Sequence, residues 1–357
     1  MLFNRTNSYQ FVGRTGIYYE HGTEQIFASY LVRFVCDKQQ ILPEYLTAYL
    51  NTKYGINEIK RRARQSINQT NVNPEEVKLI ELPLLSKDLQ QKIADRFRQA
   101  DTLITQARRL YREAESILER ELGLDRFTPS TCGIAVKSFS ESFGASGRLD
   151  AEYYQPKYED CKKFISSRET VGSICKIRDD NFNPIKDKTY RYIELSNVGA
   201  CGEIGGTEEI RGSELPTRAR RLVRAGQLIV SSIEGSLQSC ALITDEYDCA
   251  LCSTGFYVIE STECNSETLL MLFKTELMQM LMKQGCSGTI LTAISKEQFL
   301  NLPLPLVSLE VQSAIADRVQ QSFALRRQSK QLLERAKSAV ELAIERDEQT
   351  AIHALST

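Results

Sequence analysis

The sequence predicts an α+β protein: two irregular α/β globular parts, the first of them partial, joined by two long antiparallel coiled-coil-like helices. Three observations carry that prediction. The chain is internally duplicated, each copy has short β-rich segments ahead of a Leu-Pro-Leu stretch, and a long amphipathic run follows each stretch. At 357 residues the chain is too long for one ordinary core and about right for two. Hydrophobic residues at 42% and charged residues at 25% are ordinary globular values, so packed cores are expected rather than disorder.

The duplication is the strongest signal. Residues 79–99 read LIELPLLSKDLQQKIADRFRQ and residues 301–321 read NLPLPLVSLEVQSAIADRVQQ. One shift lays Leu82-Pro83-Leu84 on Leu304-Pro305-Leu306, Ser86 on Ser308, Gln90 on Gln312, and Ile93-Ala94-Asp95-Arg96 on Ile315-Ala316-Asp317-Arg318. Glu75 falls on Glu297, and Val72 and Val77 fall on Ile294 and Phe299. Further upstream, with small indels, MLFNRTN matches LIVSSIE at 228–234, ASYLVRF at 28–34 matches STGFYVI at 253–259, and EYLTAYL at 44–50 matches ETLLMLF at 267–273. A period of about 220 residues is far above solenoid lengths, so this is domain duplication.

The elements then follow in order. Residues 1–86 form the partial first globular part. LFNRT and IFASYLVRFV read as strands, EYLTAYL as a short helix, and RRARQSINQTNVNPEEV as a loop before a Leu-Pro-Leu strand. Proline lacks the backbone donor, which puts that strand at an edge or a domain exit. Residues 87–123 form the first long helix: Leu89, Ile93, Phe97, Ala100, Ile104, Ala107, Tyr111, Ala114 and Leu118 recur at three- and four-residue steps, and Gly123 ends the run. Residues 124–148 are rich in Gly, Ser and Thr and read as a connector. The second globular part, 149–308, has strands in GQLIVSSI, CALIT and GFYVIE and its own Leu-Pro-Leu strand. Residues 309–350 form the second long helix, striped by Val311, Ile315, Val319, Phe323, Leu333, Ala336, Val340 and Ile344. Rods of about 50 Å at 1.5 Å per residue call for partners. Ile93, Phe97 and Ile104 are expected to pair with Ile315, Val319 and Phe323; the alternative is that each helix packs on its own globular part.

Several function classes lack support. No apolar run approaches the ~20 residues of a bilayer span and MLFNRTNSYQ has no signal core, so a soluble, cytoplasmic protein without membrane partners is expected. Ten cysteines then read as reduced thiols. Cys249 and Cys252 are the one close pair; with only His21 and His353 to add, no metal site is expected, and small apolar side chains buried in a strand explain the pair. There is no phosphate-cradling GxxxxGK[ST] loop, GEIGG at 202–206 has the wrong spacing for a dinucleotide loop, and two histidines make a Ser-His-Asp arrangement improbable. No catalytic residue is therefore assigned.

Local basic clusters could touch nucleic acid. Arg61, Arg62 and Arg64 precede the amide-rich run containing Gln65 and Asn68, while Lys186, Lys188 and Arg191 alternate with tyrosines, and Arg218, Arg220 and Arg221 sit close together. Arg and Lys position phosphates or read guanine, and Gln and Asn can pair with adenine. The competing reading is a set of solvated surface charges. A net charge of −1 argues against a protein that holds nucleic acid mainly by non-specific attraction.

Two globular parts, each followed by Leu-Pro-Leu, Gln-x-x-Ile and a long helix, resemble the specificity subunit of type I restriction–modification enzymes, as does LDAEYYQPKY at 149–158, which resembles the opening of that family's target recognition domain. The resemblance implies two target recognition domains that each read half of a bipartite site in double-stranded DNA, with the paired helices fixing the gap. It also implies docking of modification subunits that methylate adenine N6 with S-adenosylmethionine, and of motor-nuclease subunits for cleavage. The chain itself would be non-catalytic and bind no cofactor directly. One departure stands out: Met1 aligns near Leu228, so the counterpart of about 149–225 is missing from the first copy. An N-terminally truncated chain, or a second chain supplying the missing half-domain, is expected. A scaffold that assembles modification subunits without reading DNA is the alternative.

Overall fold

A computed structural model describes residues 1–20, 22, 24–67, 69–165, 167–288 and 292–356. The chain divides into two compact units, Met1–Ala107 with Ala324–Thr357 (unit 1) and Arg108–Phe323 (unit 2).

Unit 1 opens with β1 (Leu2–Asn4), β2 (Thr6–Asn7), β3 (Thr15–Gly16) and β4 (Leu31–Arg33). β1 is the centre of a three-stranded antiparallel sheet in the order β3-β1-β4. α1 (Pro43–Leu50) starts on a proline, whose missing N–H costs nothing in the first turn. α2 (Lys53–Arg62) is capped by Thr52, whose hydroxyl accepts from Gly55 N at 3.2 Å. β5 (Arg64–Gln65) and β6 (Thr70–Asn71) form a second small sheet with β2, and α3 (Pro74–Val77) is capped by Asn73. α4 (Lys87–Leu122) is the first long helix; Gly123, at φ +66°, ends it in the left-handed region that glycine enters freely.

Unit 2 begins within α4 and continues with α5 (Phe143–Ser146), α6 (Pro156–Ile165), α7 (Val171–Ile174), β7 (Cys175–Ile177), β8 (Thr189–Ile193), β9 (Glu208–Arg211) and β10 (Ala219–Leu222). β11 (Leu228–Ser231), β12 (Cys240–Leu242), β13 (Leu251–Ser253) and β14 (Phe256–Ser261) follow. Two four-stranded sheets result, β12-β11-β14-β7 and β10-β13-β8-β9, the latter with one parallel pair, β13 on β8. Then come α8 (Ser266–Lys274), α9 (Glu276–Gly285), β15 (Cys286–Ser287), β16 (Ala293–Ile294), α10 (Lys296–Leu300) and the second long helix, α11 (Leu309–Glu345). α12 (Glu348–Ser356) belongs to unit 1.

The duplication is a structural one. Leu2 pairs with Gly16 and Arg33 in unit 1, and Ile229 pairs with Ala241 and Val258 in unit 2. Val72 N donates to Arg5 O, and Ile294 N donates to Ser232 O, both at 2.9 Å. The apolar matches Val72, Val77, Ile294 and Phe299 are all buried.

The long helices contribute to both cores. In unit 1, Leu89 and Ile93 share a core with Ala336, Ala339 and Val340, and Ser329 Oγ donates to Ala100 O at 2.8 Å. Advancing along α4 thus means retreating along α11, so the two segments run antiparallel within unit 1. In unit 2, Tyr111, Ala114 and Leu118 share a core with Ile315 and Val319.

Three expectations need correction. Neither Leu-Pro-Leu stretch is a ladder strand: residues 80–86 belong to no strand, and near Leu304 there is only an isolated bridge from Pro303 to Thr170. The carbonyls are satisfied otherwise, with Tyr49 OH donating to Glu81 O at 3.1 Å and Tyr45 OH donating to Pro83 O. The second long helix ends at Glu345 rather than reaching residue 350, because Asp347 caps a new helix by accepting from Thr350 N at 2.8 Å. Leu333, assigned to the apolar stripe, is instead exposed, and the small Ser329 and Ala336 make the close contact.

Candidate nucleic-acid interface

The basic residues sort into one cluster in each unit. In unit 2 the cluster is built by the edge strand β10 and the segment that crosses it. Phe182 N donates to Arg220 O at 2.8 Å, which lays residues 179–183 along β10. Arg220 Nη1 donates to Asn183 Oδ1 and Arg221 Nη1 to Asn181 Oδ1, both at 2.9 Å; Arg221 also donates to Asp179 O. Lys296 holds the Asp179 carboxyl below the usual carboxylate range through its hydrogen bond, so that corner stays charged and fixed. The segment then turns at Lys186–Asp187 and packs against Tyr190 of β8. The Tyr190 hydroxyl accepts from Ile185 N at 3.0 Å, the ring meets Phe182 edge-on at 5.8 Å, and Lys188 Nζ lies 5.4 Å from the ring centroid. Ser213 N and Gly212 N donate to Lys186 O and Lys188 O, and a side chain at Gly212 would collide with the Ile185 carbonyl. The close backbone approach there requires glycine. Asn181, Asn183, Lys186 and Lys188 are thereby presented on one exposed segment, beside the half-buried Arg220 of β10. Beside it lies a cavity of about 520 Å³ lined by Arg178, Asn181, Phe182, Arg224, Gln227 and Glu260.

Not every predicted residue joins this surface. Arg191, on β8, is enclosed: it donates to Glu246 O at 2.8 Å, lies 3.6 Å from both Glu209 and Glu246, and stacks 5.5 Å over Tyr247. Arg218 lies 3.5 Å from Glu194, and its interactions with Tyr192 and Glu194 strengthen its hold on the proton. In unit 1, Arg62 is spent on Glu58, donating to its carboxylate at 2.5 Å and its carbonyl at 2.9 Å. Arg61 adds a 3.2 Å contact to the same carboxylate, which these arginines hold below its ordinary range, and Arg64 pairs with Glu76 at 2.8 Å. Arg61 and Arg64 remain mostly exposed, and exposed pairs of this kind are worth little, so phosphate could displace the carboxylates. Gln65 is exposed on β5; Asn68 lies outside the described residues.

Among the residues named for helix pairing, Ile93, Ile315 and Val319 are fully buried, while Phe97, Ile104 and Phe323 are half-buried. The expected pairing is corrected: Ile93 packs with Ala336, Ala339 and Val340 in unit 1, and Ile315 and Val319 pack with Tyr111, Ala114 and Leu118 in unit 2, because the helices run antiparallel. Phe97 and Ile104 line a concavity of unit 1 together with Leu333. Cys252 is buried on β13, but Cys249 is an exposed turn residue at φ +62° beside Arg224 and Asp248, so a strand does not explain it.

Sequence reasoning missed two groups. Asn181 and Asn183 sit in RDDNFNPIKDK, whose mix of amides and bases was the available signal. Gln90 and Gln312 were matched as repeat positions, but their role needed coordinates. Gln90 Oε1 accepts from Leu42 N at 2.9 Å and its Nε2 donates to Leu85 O at 2.8 Å; Gln312 Oε1 accepts from Asn265 N at 2.9 Å and its Nε2 donates to Val307 O at 3.1 Å. Both side chains are buried, and each ties the start of a long helix to the start of α1 or α8.

Fold and surface together define a duplicated α/β module on long helices, whose second copy presents a rigid segment of bases and amides. Residues 170–335 match the family described as type I restriction modification DNA specificity domain. No curated protein matches the chain. Among solved structures, the HsdS subunit from Thermoanaerobacter tengcongensis is 26% identical over 49% of this chain and 46% of its own, with a TM-score of 0.39. A chain from work on complex assembly and conformational transition of the type I R-M system is 25% identical over the same shares, also at 0.39. The S subunit of a type I restriction–modification system from M. genitalium is 14% identical over 89% of this chain and 74% of its own, at 0.39. The match thus spans 46% of the first two of these chains. Among the described residues no helix is long and apolar enough to cross a membrane.

Proposed function

We propose that the chain is the DNA-sequence-recognition subunit of a type I restriction–modification complex. It directs adenine methylation and cleavage by partner subunits that carry S-adenosylmethionine and the motor-nuclease, and it contributes no catalytic group of its own. The observation that carries this reading is the match to the DNA specificity domain family over 170–335, a stretch that contains the base-and-amide segment resting on β10. Such a segment combines phosphate positioning with side chains able to pair with base edges. The two long helices set the spacing between half-sites.

The test is selection from randomised duplexes by the complex with a type I modification subunit. One conserved half-site is expected from unit 2, weakened by joint Arg220→Ala and Asn183→Ala substitution. Inserting about four residues near Ala107, one further helical turn, should lengthen the spacer and leave the half-sites alone. Assembly with the modification subunit but no sequence preference would favour the second reading, a non-reading scaffold. That reading draws on Arg61, Arg62 and Arg64 all being engaged by carboxylates in unit 1.

A further inference from the structure

The sheet centred on β11 is covered on its outer face, and the equivalent sheet centred on β1 is not. In unit 2, Ile229, Ala241, Phe256 and Val258 point into a core closed by Ile193 and Val223, both from the segment that precedes β11. The ladders place Leu2, Gly16, Leu31 and Arg33 at the same four positions in unit 1. There Gly16 and Arg33 are exposed, and a side chain at Gly16 would meet nothing within 4 Å. At the β4 edge of this face lies a concavity of about 320 Å³ lined by Leu2, Ile26, Phe27 and Val35 and, from the core side, by Met1 and Phe34, with Ile26 98% and Val35 84% exposed.

The edge of the sheet is open as well. In unit 2, β14 is flanked by β7, with Glu260 opposite Lys176 and Arg178 N donating to Val258 O. Val35 and Arg33 are the counterparts of Glu260 and Val258. Phe34 N is used inward, on Met1 O, so the alternation of an antiparallel strand turns the N–H groups of Arg33 and Val35 outward. Among the described residues no strand lies beyond β4.

We propose that this face and edge seat a polypeptide segment of the kind residues 149–227 form in unit 2. That segment adds a strand antiparallel to β4 and closes an apolar core over Leu2 and Leu31. The occupant is identified by the chain itself, because residues 171–223 perform this covering on the duplicate of the same sheet. Strand addition supplies main-chain hydrogen bonds and the apolar concavity supplies the burial that holds it. The inference does not depend on either unit binding DNA.

The test is to graft residues 149–227 ahead of Met1 in the 357-residue chain, which joins Gln227 to the counterpart of Leu228, and to follow amide exchange. Exchange at Arg33 and Val35 should slow by roughly tenfold or more relative to the parent chain. Val35→Pro in the grafted chain, which removes the outward donor, should restore parental exchange at Arg33. The proposal is overturned if both amides exchange as in the parent while α1 and α8 keep their protection, or if protection appears only after Arg33→Val and Gly16→Ala make the face resemble unit 2. It is also overturned if the ungrafted chain sediments as a dimer that Val35→Asp dissociates, since the occupant would then be a second copy.

Discussion

The sheets centred on β1 and β11 share a ladder and differ in what lies on top of it. On the inner side both rest on two short helices and the start of a long helix, tied down by a buried glutamine. On the outer side, unit 2 has a second sheet and a closed apolar core, where unit 1 has Arg33, Gly16 and an open concavity. The part held in common is therefore the mounting of the long helices, and the part that varies is the outer layer, which in unit 2 also carries the exposed bases and amides.

The largest expected effect breaks the symmetry directly. Ile229→Ala should cost about 2–4 kcal/mol in denaturant unfolding of unit 2, because it empties a closed core. Leu2→Ala at the matching position should cost under ~1 kcal/mol, since its site is already half open. Equal costs would mean that the outer face of unit 1 is closed in solution. Next come the matched glutamines. Gln90→Ala and Gln312→Ala each strand a buried N–H and a carbonyl, so each should cost about 1–3 kcal/mol, and by similar amounts. A large effect at one and none at the other would show that the two mountings are not equivalent.

Smaller still is the difference in DNA contact. Joint Lys186→Ala and Lys188→Ala in the assembled complex should lower the salt dependence of binding by roughly two phosphate contacts. Arg62→Ala in unit 1 should leave it unchanged, because that guanidinium is occupied by Glu58. The smallest effect concerns Glu115, in a unit 2 concavity beside Glu119 and Lys274. Burial, then the Glu119 charge, raise its pKa above the ordinary carboxylate value. A raised folded-state pKa contributes stability below the unfolded value, and that contribution is lost as pH rises through the folded one. Glu115→Gln should therefore flatten the decline in unit 2 stability just above pH ~4.5 in a thermal-melt series.

Much of this was legible in the sequence. The shifts that superpose MLFNRTN on LIVSSIE and ASYLVRF on STGFYVI are the ones the ladders adopt, because strand pairing fixes register and a slip of one residue would turn every side chain to the wrong face. The helix stripes were legible because burial follows the 3.6-residue period. The Leu-Pro-Leu stretches misled because β-prone residues need a neighbouring strand; tyrosine hydroxyls take the carbonyls of the first stretch, and Val171 N and Ser167 Oγ take Leu302 O and Leu304 O in the second. Partnering of charges was not legible either. That Arg191 would be enclosed by Glu209 and Glu246 while Lys188 stayed exposed depends on which strands become neighbours, a long-range outcome that local composition does not encode.

The glutamine at the head of each long helix has one more consequence. In unit 1 that side chain grips Leu42 through its main-chain N–H alone, so the hydrogen-bonded joint is indifferent to the side chain there, whereas in unit 2 the Asn265 side chain adds a bond of its own, donating to Gln312 O at 3.0 Å. What lies upstream of the unit 1 joint can therefore be exchanged as a cartridge, provided the residue at that point keeps its N–H, which proline lacks; the unit 2 joint asks for the asparagine as well.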